Sequence, residues 1–284
     1  MGFKEELENF NKYHTMKKID VKGKTFNYII SGNGKKKIVL LTAGSGLYEG
    51  YYRHIEMLEK KYTVLAFDYP YGMKDSKEMV DSIACFLESI NYYRSYIIAE
   101  SVGGLIGQLF LKEYPDMVEG LILTNTGTIT DNINYTMKKE VTDGIKSTIK
   151  TVQRTPVYIL KSAMIKKSLK KIKEDLSDSV NAIYAKEYVN YFMEKLTKEK
   201  VIYLCNIALD FMDRINFKKV DFEQFKGNVT LISTNDDDVF DIRMNEEIKY
   251  LFNDITCKKI KRGGHTSFLF KVKDYVNILE EIIM

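Results

Sequence analysis

Hydrophobic positions along this chain follow two rhythms, short β-branched runs and longer stripes spaced three and four apart, and these predict alternating strands and helices. Residues 3–14 alternate charge with Phe3, Leu7 and Phe10 at helical spacing, a short amphipathic helix. Residues 18–21 and 24–31 read as strands joined by a hairpin at Lys22-Gly23. After Gly32-Asn33-Gly34, the run Lys37-Ile38-Val39-Leu40-Leu41 is apolar enough for a strand buried on both faces. Tyr62-Thr63-Val64-Leu65-Ala66-Phe67-Asp68 is the next strand, closed by a turn at Tyr69-Pro70-Tyr71-Gly72. Asp75 or Ser76, with Glu78 beyond, caps a helix that carries Met79, Ile83, Phe86, Leu87 and Ile90 on one face.

A strand at Tyr96-Ile97-Ile98-Ala99 leads into a helix with Leu105, Leu109 and Phe110 inward, which stops near Tyr114-Pro115; Gly120-Leu121-Ile122-Leu123-Thr124 is another buried strand. Strand and helix in this alternation imply a parallel sheet. Residues 129–220 break the rhythm. They hold no convincing buried strand pair but several helical stripes, clearest in Leu160, Met164, Leu169, Ile172 and Leu176 behind a helix start at Thr155-Pro156. The strand pattern resumes at Asn228-Val229-Thr230-Leu231-Ile232-Ser233, followed by a helical piece at 243–252, a strand at 255–260 and a closing helix with Tyr275, Ile278, Leu279 and Ile282. The expected organisation is an α/β core from residues 1–128 and 221–284 around a helical insertion at 129–220.

Composition narrows the class. The chain has 284 residues, 45% hydrophobic and 29% charged, which fits an ordered globular fold. No apolar run approaches the roughly 18 residues of a membrane helix. Met1-Gly2-Phe3-Lys4-Glu5-Glu6 lacks an apolar secretory core, and Glu6 stands where a myristoylation signal has Ser or Thr, so a cytoplasmic location is expected. Cys85, Cys205 and Cys257 are widely spaced and read as buried thiols in a reducing compartment, not as a disulfide or zinc framework. A net charge of +4 is too small to imply a nucleic-acid partner. The charge is uneven, with 18 Lys and Arg against 11 Asp and Glu in residues 129–220. Within that stretch the Lys-rich segment 161–173 reads as a solvated helix face, with a surface for anionic lipid or an acidic partner as the lesser alternative.

Candidate chemistry gathers where the predicted strands end. Ser101 sits in Ala99-Glu100-Ser101-Val102-Gly103, with small residues two before and two after it, as a tight strand-to-helix turn requires. The turn lifts the hydroxyl to a helix N-terminus, where free N–H groups favour developing negative charge. A plain Gly-rich turn shares this short pattern. A serine hydroxyl is a poor nucleophile at neutral pH and needs an imidazole to take its proton and a carboxylate to hold that imidazole. Of the chain's three histidines, His14 reads as a surface residue and His54 as structural. His265 alone follows an acidic run, Asp236-Asp237-Asp238, and lies in a Gly263-Gly264-His265 turn.

These features resemble the α/β-hydrolase fold family. The pentapeptide around Ser101 is similar to that family's nucleophile elbow, with Ala99 for the commoner glycine, and Ser101, Asp237 and His265 follow its chain order of serine, acid and histidine. The resemblance spans residues 18–128 and 221–284. It implies a mostly parallel central sheet flanked by helices, with a helical cap inserted between the sixth and seventh strands. It also implies an oxyanion hole from the N–H of Val102 and one N–H of the loop Thr42-Ala43-Gly44-Ser45-Gly46; there Thr42-Ala43 replaces the usual His-Gly, and Gly44 is the matching position. Asp237 lies where the family's Gly-x-x-Asp pattern puts its carboxylate if Thr234 stands for the glycine, with Asp236 and Asp238 as alternatives. The acidic run lacks the spacing and glycine of an EF-hand calcium loop.

The implied activity is a carboxylesterase-like serine hydrolase acting on a small apolar acyl ester through an acyl-enzyme, with no metal or organic cofactor. Two other readings stay open: a non-catalytic α/β-hydrolase-like protein that binds through its elbow pocket or basic cap, and a lyase or acyltransferase using the same three residues. An intact Ser101, Asp237 and His265 favours the hydrolase, while the altered Thr42-Ala43 loop, and a bulky segment at 69–73 where the family has a Gly-rich loop, leave room for the binding alternative.

Overall fold

A computed structural model describes residues 2–132, 135–176, 181–240 and 242–283, the side chains of residues 135–137 excepted. Eight strands form one sheet: β1 (Lys17–Val21), β2 (Lys24–Ser31), β3 (Lys37–Leu41), β4 (Thr63–Phe67), β5 (Ser95–Glu100), β6 (Val118–Thr124), β7 (Asn228–Thr234) and β8 (Ile255–Ile260). Their spatial order is β1-β2-β4-β3-β5-β6-β7-β8. β2 runs antiparallel to both of its neighbours, and every pairing from β4 to β8 is parallel.

The period-two geometry of the strands divides the core in two. Val39 and Leu41, Leu65 and Phe67, Ile97 and Ala99, and Leu121 and Leu123 lie in one apolar cluster. Their alternating neighbours Ile38 and Leu40, Val64 and Ala66, Tyr96 and Ile98, and Ile122 lie in the other. Helices cover both faces, so the central strands carry consecutive apolar residues, as in Ile38-Val39-Leu40-Leu41 and Leu121-Ile122-Leu123, instead of one at every second position. α1 (Phe3–Tyr13) and α2 (Tyr52–Leu58) supply Phe3, Phe10, Ile55 and Leu58 to the second cluster, joined by Tyr275 and Leu279 of α11 (Val272–Ile282). On the first face lie α3 (Ser76–Ser89), α4 (Val102–Glu113) and α9 (Ile242–Leu251), with Met79, Ile83, Leu109 and Ile248 inward. Each such side chain contributes roughly 1.5–3 kcal/mol of transfer free energy. Asp75 takes the cap of α3, accepting the Glu78 N–H at 2.8 Å.

Between β6 and β7 the chain makes a helical excursion: α5 (Tyr135–Arg154), α6 (Val157–Leu176), α7 (Ala182–Lys195) and α8 (Lys198–Arg214). α5 packs on α8 and α6 on α7. The Phe217 N–H donates to the Ile129 carbonyl at 2.7 Å, so the excursion leaves and re-enters the core at one place. Residues 133–134 and 177–180 of this stretch lie outside the described residues. α7 also meets α1, where the Phe3 ring contacts Tyr184 and Tyr188 with centroids 5.6 and 5.1 Å away. No helix among the described residues is long and apolar enough to cross a membrane.

The closing helix with Tyr275, Ile278, Leu279 and Ile282 is α11, preceded by the short α10 (Ser267–Phe270). Some expectations need correction. His14 is half-buried instead of freely exposed: it stacks on Phe10 at 3.9 Å and its Nε2 lies 2.7 Å from Glu59. None of the three thiols is fully buried; Cys257, on the edge strand β8, is exposed. The Lys-rich face of α6 is not uniformly solvated either, because Lys171 turns inward to pair with Asp175.

The parallel register aligns the carboxyl ends of the central strands, pairing Leu41 with Ala99, Glu100 with Thr124, Thr124 with Ile232 and Thr234 with Ile260. The loops that follow therefore converge at one edge, where open sheets of this type hold ligands. The N-terminus of α4 fits there only because it is glycine-rich. A Cβ at Gly103 would lie 2.5 Å from the Leu41 carbonyl oxygen and 2.7 Å from that of Thr42, both backbone atoms.

Gly103→Ala should therefore destabilise the protein by about 1–3 kcal/mol, against the roughly 1 kcal/mol that alanine ordinarily gains in a helix. Gly144→Ala on α5, where a Cβ meets nothing within 4 Å, should stabilise it. Denaturant unfolding of both variants measures the two signs, and a stabilised Gly103→Ala would refute the packing argument.

Candidate active site

β5 ends at Glu100 and α4 begins at Val102, leaving one residue to reverse the chain. That residue, Ser101, has φ 53° and ψ −122°, a left-handed conformation that side-chain-bearing residues seldom adopt. Three bonds hold its backbone: its N–H donates to Thr124 O at 3.1 Å, and its carbonyl accepts from Thr126 Oγ1 at 2.6 Å and from the Gly104 N–H at 2.9 Å. One turn along α4, a Cβ at Gly107 would come within 2.9 Å of the Ala99 Cβ, so the helix packs against the strand that feeds it only with glycine there.

Ser101 Oγ lies 3.0 Å from His265 Nε2, and His265 Nδ1 lies 3.1 Å from Asp237 Oδ2. With the Nδ1–H donated to the carboxylate, Nε2 is left to accept from the serine hydroxyl. Asp237 Oδ1 accepts the N–H groups of Val239 and Phe240 at 2.9 and 3.0 Å, while Oδ2 also accepts from Asn125 Nδ2 at 3.2 Å. Burial works to raise the Asp237 pKa, but the hydrogen bond and charge of His265 and the two backbone donors outweigh it, leaving the carboxyl below its ordinary 3.8. Burial likewise opposes protonation of His265. The hydrogen bond and charge of Asp237, with the charges of Glu100 and Asp175, leave its pKa above the ordinary 6.5.

The three consecutive aspartates take three different partners. Asp236 accepts the N–H groups of Gly263 and Gly264, each at 3.1 Å, and so ties the acid loop to the histidine loop. Asp237 holds the imidazole, and Asp238 pairs with Lys171 of α6. Gly263 and Gly264 have φ 143° and 55°, which is why glycines precede His265.

On the other side of Ser101, the N–H of Val102 opens α4 and has no intrahelical partner by position. The Ala43 N–H is taken by Tyr51 Oη at 2.7 Å, and the Tyr69 hydroxyl donates to Thr42 O at 2.8 Å. Gly44 stays open, with nothing within 4 Å of a Cβ placed there. Gly44 and Val102 both line an apolar cavity of about 320 Å³, together with Ile106, Met164 and Leu204. Tyr51 also donates to Glu100, whose carboxyl burial pushes up to about 7.

His54 is fully buried, stacks on Phe268 at 4.3 Å, and is pushed down to about 3 by burial, as a core residue would be. No group of three or more His, Cys, Asp or Glu among the described residues has the arrangement to hold a metal ion. Sequence reasoning missed Asn125, Tyr51, Asp175 and Thr266. Asn125 had a usable signal, since it directly follows a buried strand. Asp175 had none, lying in a helix read as a charged outer face.

A sequence model of the family described as alpha/beta hydrolase fold matches residues 36–272. Epoxide hydrolase 4 of Mus musculus is 28% identical over 123 residues, 39% of this chain and 34% of that protein, so the match spans about a third of the relative's length. Among solved structures, a putative lipase from Acinetobacter baumannii superposes with a TM-score of 0.73 at 16% identity, over 99% of this chain and 97% of that one. Carboxylesterase CesB from Bacillus subtilis does so with a TM-score of 0.71 at 14% identity, over 99% and 96%. At such identities the structural likeness is one of fold alone.

Because the Asp237 charge favours the protonated imidazole, Asp237→Asn should lower the His265 pKa, read as the midpoint of its NMR titration. Asp236→Asn and Asp238→Asn should move it far less. A larger shift from either would mean that a different carboxylate holds the imidazole.

Proposed function

The chain belongs to the α/β-hydrolase fold family, and we propose that it is a serine hydrolase that cleaves a carboxylic ester or related acyl bond through an acyl-enzyme on Ser101. The observation that carries this reading is the unbroken hydrogen-bonded series Ser101, His265, Asp237, with the serine in its strained left-handed turn. His265 Nε2 takes the hydroxyl proton as Ser101 Oγ attacks the carbonyl carbon. The N–H groups of Val102 and Gly44 receive the oxyanion. Collapse breaks the bond to the leaving group, which takes the proton back from His265; water, activated by the same imidazole, then releases the acid. Asp237 stays ionised throughout and stabilises the imidazolium.

The substrate class follows from the cavity beside the two N–H groups. Its wall combines Ile106 of α4 with Ile145, Met164 and Leu204 of the helical excursion, which acts in this reading as a cap. Such a lining positions an apolar acyl or alcohol group while the polar groups work on the carbonyl. The basic character of residues 129–220 gives the lining no charge, because the cavity residues contributed by those helices are apolar. Three unpaired thiols support a reducing, cytoplasmic setting.

A fluorophosphonate probe should label Ser101 and no other residue, located by intact mass and peptide mapping; folded protein that stays unlabelled, or carries the adduct elsewhere, would end the serine-hydrolase reading. In a hydrolysis panel, neutral esters with small or medium apolar groups should outrun carboxylate-bearing analogues at both low and high salt. Faster, salt-sensitive cleavage of the anionic esters would overturn the assignment of an apolar substrate.

A further inference from the structure

α6 is lysine-rich along its outer face, yet near its C-terminal end two residues one turn apart point inward. The Asp175 side chain is only 4% exposed. Its Oδ2 accepts both the Thr266 N–H at 3.2 Å and the Thr266 Oγ1–H at 3.1 Å, and its Oδ1 accepts Lys171 Nζ at 2.6 Å. Lys171 reaches further, to Asp238. Thr266 is the residue after His265, and Asp238 is the residue after Asp237. One pair of side chains on α6 therefore grips the neighbour of the imidazole and the neighbour of its carboxylate.

A buried carboxylate is costly unless its oxygens are satisfied, and here both are. The packing of α6 on α7 uses Ile172, Leu176, Ala185 and Val189 and does not call for a charge at 175. The carboxylate sits directly over Gly264, where any side chain would collide with it. The same helix supplies Met164 to the apolar cavity, so α6 both walls the substrate space and holds the histidine loop.

Resting on the serine-hydrolase reading above, we propose that Asp175, braced by Lys171, is a positioning residue for His265: it anchors the histidine loop, ties it to the acid loop, and makes alignment of the imidazole depend on α6 being seated. Access to the cavity and readiness of the base are then linked through one helix. The charged groups that act on the imidazole are Asp237 from the loop after β7, Glu100 from the end of β5 and Asp175 from α6, with Lys171 beyond Asp175. Asp175 acts in the same direction as Asp237, favouring the protonated ring.

The test is the rate at which a fluorophosphonate modifies Ser101, followed from about pH 5 to 9 in the full chain and in Asp175→Ala, Asp175→Asn, Lys171→Gln and Lys166→Gln. Asp175→Ala, which removes the acceptor and the charge, should slow labelling by up to about a hundredfold, the scale of a misplaced reacting group. Asp175→Asn keeps an oxygen for Thr266 and should lose less rate, but the midpoint of its pH dependence should fall, because a negative charge beside the imidazole is gone. Lys171→Gln should slow labelling, and Lys166→Gln, on the exposed face, should change nothing. A fold-stabilising role alone would lower the yield of folded protein without moving the midpoint. Should Asp175→Ala not fold, the midpoint of Asp175→Asn decides. Asp175 variants with wild-type rate and midpoint overturn this inference alone, whereas an unlabelled wild type removes the serine-hydrolase reading and the inference with it.

Discussion

The structure turns on a single residue in an unfavourable conformation. Ser101 is held at φ 53°, which costs on the order of 1–3 kcal/mol for a residue with a side chain. That cost is offset by the buried strand before it and the helix after it, whose apolar side chains fill one face of the sheet. The neighbouring small residues answer to the same constraint. Gly103 lets α4 start against the backbone of β3, and Gly107 lets it lie on Ala99. A serine in this turn stands at a helix N-terminus with no backbone of its own in the way, and the other chemical groups have only to be brought to it.

They are brought by register and by charge. Parallel pairing sets the ends of β3, β5, β6, β7 and β8 level, so five loops from distant parts of the sequence meet at one edge. Side chains then fix how those loops lie. Asp236 crosses from the acid loop to the histidine loop, Asn125 donates to both Asp237 and the Gly264 carbonyl, and Tyr275 of α11 donates to Asn125. A group of carboxylates this close would repel strongly if each stayed bare. Each is instead satisfied differently: Asp236 and Asp237 by backbone N–H groups, Asp175 and Asp238 by Lys171, and Glu100 by the Tyr51 hydroxyl together with a pKa raised by burial. His265 lies among them, and Asp237, Glu100 and Asp175 favour its protonated form.

The departures from the family pattern have physical counterparts in the structure. The Thr42-Ala43 replacement is accompanied by two tyrosines: Tyr51 occupies the Ala43 N–H, and Tyr69, from the bulky segment at 69–73, braces the Thr42 carbonyl. The loop is held from both sides, and the Gly44 N–H remains beside the cavity. The features that left room for a binding protein in the sequence thus act as supports for the loop on which the proposed chemistry depends.

The sequence by itself determined the elements and the chain order of the chemistry. The apolar runs of β3 to β7 are legible because strands covered on both faces must be apolar throughout, and the small-x-Ser-x-Gly turn is legible because backbone sterics at a positive φ admit few neighbours. Ser101 and His265 stand out by these local rules and by their turn motifs, Asp237 and Gly44 only through the resemblance to the family, and the structure brings Ser101, Asp237 and His265 together by hydrogen bonds. Local rules do not reach contacts between distant segments. The split of the aspartate run among three partners, the inward turn of Lys171 and Asp175 from a helix that reads as a solvated face, the burial of His14 against Glu59, and the service of Tyr51 and Tyr69 to one loop were decided by tertiary packing. A helix shows in its own periodicity that it has an apolar stripe; which charged residue near that stripe meets a partner depends on where the neighbouring loops end, and that is set by the register of a sheet whose strands lie far apart in the chain.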